Sequence, residues 1–219
     1  MLEPHWPLFG LRVVTPRLEV RLPRDEDLPG LLEVIAEGIH DPATMPFLSP
    51  WTDARPEERA RASLQWWWSA RARWRPDDWN YTGAVFVDGR PVGVQGLMAR
   101  DFPQLRVVKT GSWLGRRYQG KGLGKEMRAA VLHLAFEGLG AVEAESGAWA
   151  DNVASKSVSI ALGYRKNDGG LALRRGQPDR LVGYLLGVDQ WLTHRRDDVT
   201  IEGLAPCLPM FGAAPRSAG

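Results

Sequence analysis

The chain has 219 residues, 44% of them hydrophobic and 25% charged, with a formal net charge of +2. That length allows one large domain or two small ones, with a core deep enough to fold without disulfides or metals. The near-neutral charge excludes a global field for nucleic acid or a membrane surface. Cys207 alone excludes an internal disulfide, and no run of 18 apolar residues could span a bilayer.

The N-terminus, "MLEPHWPLFG", has no basic stretch leading into an apolar one. It does not read as a secretory signal, so a cytoplasmic location is expected. "TPRLEVRL" (15–22) alternates as a first strand. "PRDEDLPGLLEVIAEG" puts acids in a first turn and Leu28, Leu31, Leu32 and Ile35 on one stripe, predicting a helix that Gly38 ends. A proline-rich loop follows. After Pro56, "EERARASLQWWWSARARW" opens acidic and closes basic, which suits the helix dipole. Six of the ten tryptophans (Trp51, Trp66, Trp67, Trp68, Trp74, Trp79) crowd this region, as a lid over a core or as a substrate wall.

"GAVFVDGRPVGVQGLM" is a hairpin turning at Asp88-Gly89, and "RVVKTGSWLG" is a strand that stops at Gly115. "KEMRAAVLHLAFEGLG" is a helix with Met127, Val131 and Leu134 on one side and His133 on its exposed side. A strand, "AVEAESGAWA", leads to the helix "DNVASKSVSIALGY", capped by Asp151 or Asn152 and stopped by Gly163. "RLVGYLLG" is the last strand and "VDQWLTHRR" a helical turn. From Val199 the chain reads as a wandering C-terminal tail, leaving residues 1–198 as the domain. His5, His40, His133 and His194 have no metal-ligand spacing, and no metal is expected.

The stretch "GRRYQGKG" (115–122) follows the P-loop spacing until Gly122, which replaces the hydroxyl residue that would ligate magnesium. Glycines at 120, 122 and 124 also miss the dinucleotide fingerprint. What remains is a strand, a glycine turn and a helix. The amides of residues 120–125 open onto a helix N-terminus, with Lys121 and Lys125 close by, which makes an anion site.

"QGKGLG" (119–124) resembles the Q/R-x-x-G-x-G/A signature of the GNAT superfamily of acyl-CoA-dependent N-acyltransferases. "TPRLEVR", "SWLGRRYQGKG" and "DNVASKSVSIALGY" resemble, in order, segments of the branch that acetylates ribosomal-protein N-termini. The resemblance runs from Thr15 to about Trp191. It implies a single α/β domain with a mixed, mostly antiparallel sheet, splayed at the acyl-CoA site and flanked by helices.

The resemblance further implies that Gln119, Gly120, Lys121, Gly122, Leu123, Gly124 and Lys125 hold the coenzyme A pyrophosphate. An amide donor is implied near Trp113 and Leu114, and the pantetheine arm falls to Asn152, with Lys156 beside it. Ser155 stands where that branch places a serine beside the leaving sulfur. The branch's usual glutamate base is replaced by Lys109, which leaves Glu145 or a water chain to take the proton. The co-substrate is acetyl-CoA, or succinyl-CoA in a site richer in cations. The acceptor is an amine: a protein N-terminus, a lysine or a small molecule. The alternative is a non-catalytic acyl-CoA sensor. Nucleic acid and membrane are not expected partners, and exposed aromatics suit a homodimer.

Overall fold

The computed structural model describes residues 2–214 of the chain. β1 (Arg12–Val14) and β2 (Glu19–Arg21) form a short hairpin, where alternation alone predicts one strand over 15–22. Pro16, without an N–H to give a ladder, forces the turn, and the Thr15 amide donates to Leu18 O at 2.9 Å. α1 (Leu28–Glu37) ends where Gly38 takes φ +103°. α2 (Pro56–Ala72) begins with proline and two glutamates and closes with Arg71. β3 (Asp78–Val87) and β4 (Arg90–Arg100) meet through Asp88 and Gly89, both at positive φ as a tight hairpin turn requires.

A short α3 (Phe102–Leu105) leads into β5 (Val107–Leu114), and the glycine loop into α4 (Leu123–His133), extended by a π-helical turn to Gly138. Then come β6 (Glu143–Trp149), α5 (Val153–Ala161), β7 (Arg165–Arg174), β8 (Gln177–Gly187), α6 (Val188–His194) and β9 (Thr200–Glu202). The nine strands of the described residues join one sheet in the order β7-β8-β6-β5-β4-β3-β2-β1-β9. Only the β5–β6 pair is parallel, so the sheet is mixed and mostly antiparallel, as expected.

Two apolar layers cover the sheet. On one face Val108 and Leu114 pack with Met127, Val131, Leu134 and Phe136 of the α4 segment. On the other, Val94 and Phe86 pack with Leu28, Leu31 and Ile35 of α1 and Trp67 of α2. The tryptophans divide among these surroundings. Trp67 is buried, Trp66 and Trp68 are exposed, and Trp74 and Trp79 stack at 6.0 Å at the far end of the core.

Three sequence expectations need correction. Of the predicted C-terminal tail, residues 199–214 do not wander, and 215–219 lie outside the described residues. β9 pairs with β1, and the turn over Ala205–Phe211 buries Cys207, Leu208 and Phe211. Burial also pushes the Cys207 thiol up to about 11. The strand β7 has no counterpart in the predicted elements, because "RKNDGG" is polar, nearly all exposed, and shows no alternation. His133 is half-buried rather than exposed. It packs edge-on against Trp191 at 5.9 Å, and burial holds its imidazole below the ordinary value.

Candidate active site

Parallel pairing of β5 with β6 runs through Val107↔Glu143, Val108↔Ala144 and Lys109↔Glu145, then stops, although β5 continues to Leu114 and β6 to Trp149. The two strands therefore part beyond Lys109. The side of β5 that faces the gap has no strand partner from Thr110 onward, which leaves backbone donors and acceptors for something else to satisfy. On its other side β5 lies close to β4. A Cβ at Gly93 would stand 2.3 Å from Trp113 O, so only glycine lets the end of β5 sit where it does.

Alternation gives the gap two different faces. Lys109 and Trp113 point to the α1–α2 side. There Trp113 meets Trp51 at 6.4 Å, and Trp51 meets Phe47 at 5.3 Å. Ser112 and Leu114 point to the α4 side. Trp113 thus offers its ring to one face while its carbonyl lies against β4, and Leu114 is buried.

The glycine loop lies at the mouth of the gap. Gly120 and Gly122 adopt φ +72° and +78°, and Gly122 is the N-cap of α4. A side chain at Gly120 would meet nothing within 4 Å, so the loop faces open space. Lys121 and Lys125 are exposed and make no ion pair among the described residues. Leu123 is buried in the core, and Gly124 brings α4 near Val158 of α5. The side chain of Gln119 turns inward instead of outward, donating to Ile39 O at 2.7 Å and Leu114 O at 2.8 Å. It braces the loop against β5.

A second brace comes from residues that sequence reasoning did not single out. Glu126 is 1% exposed and accepts from Thr15 Oγ1 and Arg17 Nε, each at 2.6 Å, while Arg17 also donates to Lys121 O at 3.0 Å. Burial alone would raise the Glu126 carboxyl. The hydrogen bonds from Thr15 and Arg17 outweigh it and hold the carboxyl below its ordinary value. The "TPR" turn therefore fixes the glycine loop from behind. The acid one turn into a helix that follows a glycine loop was the available signal.

Asn152 caps α5, its Oδ1 accepting from Ser155 N at 3.1 Å. Its side-chain amide donor has no partner among the described residues, and neither has the Ser155 hydroxyl. The Lys156 ammonium is tied back to Ala150 O. Glu145 sits on the last paired rung, with Lys109 Nζ 2.9 Å from one carboxylate oxygen.

Arg128, also missed, lies beneath the gap. It donates to Ser159 Oγ at 3.0 Å, Ser112 Oγ at 3.3 Å and Ser146 Oγ at 3.4 Å. Its Nε is buried without an acceptor among the described residues. Across β5, the buried Gln95 stands opposite Ser112 in register, and its Oε1 is likewise without a donor.

The loop over 39–55, irregular in itself, is strapped across the α1–α2 face. Trp149 Nε1 donates to Phe47 O at 3.0 Å, Arg174 Nε to Met45 O at 2.8 Å, and Arg175 pairs with Asp53 at 2.7 Å. The β7–β8 turn supplies both arginines. Among the described residues no helix is long and apolar enough to cross a membrane, and no group of three metal-binding side chains occurs.

The Acetyltransferase (GNAT) domain family matches residues 17–165. The fold is shared with solved structures at low identity. A candidate ribosomal-protein-serine acetyltransferase from Vibrio cholerae is 22% identical with a TM-score of 0.62, over 80% of this chain and 97% of that one. RimJ of Mycobacterium smegmatis, in complex with a CoA disulfide, is 19% identical with a TM-score of 0.68, over 83% and 87%. RimL, a ribosomal alpha-N-protein acetyltransferase in complex with coenzyme A, is 18% identical with a TM-score of 0.65, over 81% and 97%.

Proposed function

The chain belongs to the GNAT acetyltransferase family, and from that premise we propose that it transfers an acetyl group from acetyl-CoA directly to a primary amine of a protein N-terminus. The observation that carries this reading is the parting of β5 and β6 next to an outward-facing glycine loop at the N-terminus of α4. Positive φ at Gly120 and Gly122, the open space before Gly120 and the exposed Lys121 and Lys125, which make no ion pair among the described residues, fit a pyrophosphate. The co-substrate supplies an acyl group already activated as a thioester.

The residues divide the remaining work. The amides of 120–125 bind the diphosphate, and a backbone N–H near Trp113 and Leu114 polarises the acyl carbonyl as negative charge develops there. The free amide donor of Asn152 holds the pantetheine arm, and the Ser155 hydroxyl donates a hydrogen bond toward the sulfur. Glu145, facing the same side as Trp113, takes the proton from the attacking amine, with Lys109 fixing its carboxylate. Because Lys109 is already paired, it offers no free cation to an acidic acyl chain, which favours acetyl over succinyl. Trp51, Trp113 and Phe47, under the strapped loop, form the wall for the acceptor. The protein N-terminus as acceptor rests on the likeness to RimL, an alpha-N-protein acetyltransferase.

The test is thiol release from acetyl-CoA and succinyl-CoA with three acceptors: a peptide with a free α-amine, the same peptide blocked at its N-terminus but containing lysine, and a polyamine. The reading predicts turnover with acetyl-CoA and the free α-amine, reduced at least tenfold by Glu145→Gln. Binding of acetyl-CoA with no turnover on any amine would instead support the sensor.

A further inference from the structure

Arg128 has no part in the chemistry just described, and its surroundings are unusual for a structural arginine. The residue is 4% exposed, yet every hydrogen bond its guanidinium donates among the described residues ends on a neutral serine hydroxyl. No carboxylate pairs with it among the described residues, and three hydrogen bonds serve a group with five donors. Burial lowers the guanidinium pKa from its ordinary value. The titratable group that acts on it is Tyr164, from the turn after α5, a phenol that burial keeps protonated. An unpaired buried cation is costly to hold, and a straight apolar side chain would fill the same space without that cost. The arrangement becomes favourable when an anion enters.

The place of the cluster selects the anion. Ser112, Ser146 and Ser159 come from β5, β6 and α5, so Arg128 spans the parted strands on their α4 face. Lys109, Glu145 and Trp113 lie on the opposite face. If the acyl carbon meets its acceptor on that opposite face, the sulfur end lies toward Arg128.

Resting on the acyl-CoA reading above, we propose that Arg128 is a catalytic residue whose guanidinium receives the coenzyme A thiolate as it leaves. The amine nitrogen bonds the acyl carbon, the carbon–sulfur bond breaks, and sulfur keeps the electron pair. The proton released from nitrogen goes to Glu145 or solvent. Arg128 stays protonated throughout, so it supplies charge that the Ser155 hydroxyl cannot. Thiolate and guanidinium separate only when the product takes a proton from water and departs.

The experiment is calorimetric binding to the full chain at pH 7 and 8. It compares coenzyme A with desulfo-coenzyme A, in which hydrogen replaces the thiol, for the wild type, Arg128→Met and Arg128→Lys. The wild type is expected to favour coenzyme A by about 10- to 100-fold at pH 8, with proton release and a smaller preference at pH 7. Arg128→Met should bind both ligands alike, at the wild-type affinity for desulfo-coenzyme A, which also shows that it folds. Arg128→Lys, which keeps a charge, should retain part of the preference.

A wild type without the preference, or an Arg128→Met that keeps it, overturns the proposal. Succinyl-CoA and butyryl-CoA form a further pair. If Arg128→Met changes only their ratio, the anion is an acyl carboxylate and the thiolate assignment is wrong. Failure of the wild type to bind even desulfo-coenzyme A would overturn the acyl-CoA reading itself.

Discussion

At one end of the core, Trp79 packs edge-on against Phe211 at 4.9 Å and Phe102 at 5.4 Å, with Trp74 stacked alongside. Both indole N–H groups are satisfied, by Met210 O at 2.7 Å and Phe211 O at 3.2 Å. In the middle of the sheet, Arg128 is as thoroughly buried, but among the described residues its charge is unmatched and its Nε has no acceptor. Buried polar groups are normally satisfied, so the two clusters differ in what they contribute. The aromatic end contributes stability. On the reading proposed above, the gap between β5 and β6 sacrifices some stability to keep polar atoms ready for a ligand.

The largest effect expected is at the aromatic end. Phe211→Ala should cost about 3–5 kcal/mol, seen as a fall of roughly 10 °C in thermal melting, while the folded fraction keeps its affinity for coenzyme A. A loss of affinity with little change in melting would erase the contrast. Arg128→Met is the mirror image. It should melt no lower than the wild type, because an unpaired buried cation is removed, and yet turn over slowly. If it melted as low as Phe211→Ala, Arg128 would belong with the structural residues.

Much of this was legible in the sequence. Gly38, Asp88-Gly89, Gly122 and Asn152 each end or begin an element where their turn chemistry places them. The parting of β5 from β6 was expected only through the family resemblance. Nothing local in "VVKTGSWL" or "EAESGAW" marks the rung where pairing stops. β7 was missed because an exposed edge strand is held by backbone pairing with β8 and needs no apolar alternation. The turn at Arg175-Gly176 was its one signal. Phe211 was taken for tail, and Cys207 with it, because the contacts of Phe211, to Trp79 and Tyr81, are remote in sequence. Arg128 lay inside a helix whose apolar stripe explained everything else about it, and only the meeting of three serines from separate elements sets it apart.

A smaller effect is set by pH. The folded Glu126 carboxyl titrates below its ordinary value, so its contribution is complete above about pH 4.3 and is lost as pH falls toward the folded value. Melting of the wild type from pH 6 to 3 should therefore decline more steeply than that of Glu126→Gln. Equal slopes would mean that the Thr15–Glu126–Arg17 brace contributes nothing to stability. The smallest effect is Asn152→Ala, about 1 kcal/mol from the lost α5 cap, with weaker coenzyme A binding beyond what that stability change explains.

The central claim is that the glycine loop holds the diphosphate of coenzyme A. Thermal melting of the wild type and Gly122→Glu, each with and without coenzyme A and with ATP–magnesium as the rival, tests it most directly. At 100 times its dissociation constant a ligand stabilises by about 2.7 kcal/mol, a rise of about 5–10 °C for a chain of this length. The account predicts that rise for the wild type with coenzyme A alone. It predicts no rise for Gly122→Glu, whose side chain brings negative charge and positive-φ strain to the N-cap of α4. An equal rise in the variant, or a response to ATP–magnesium in place of coenzyme A, would contradict it.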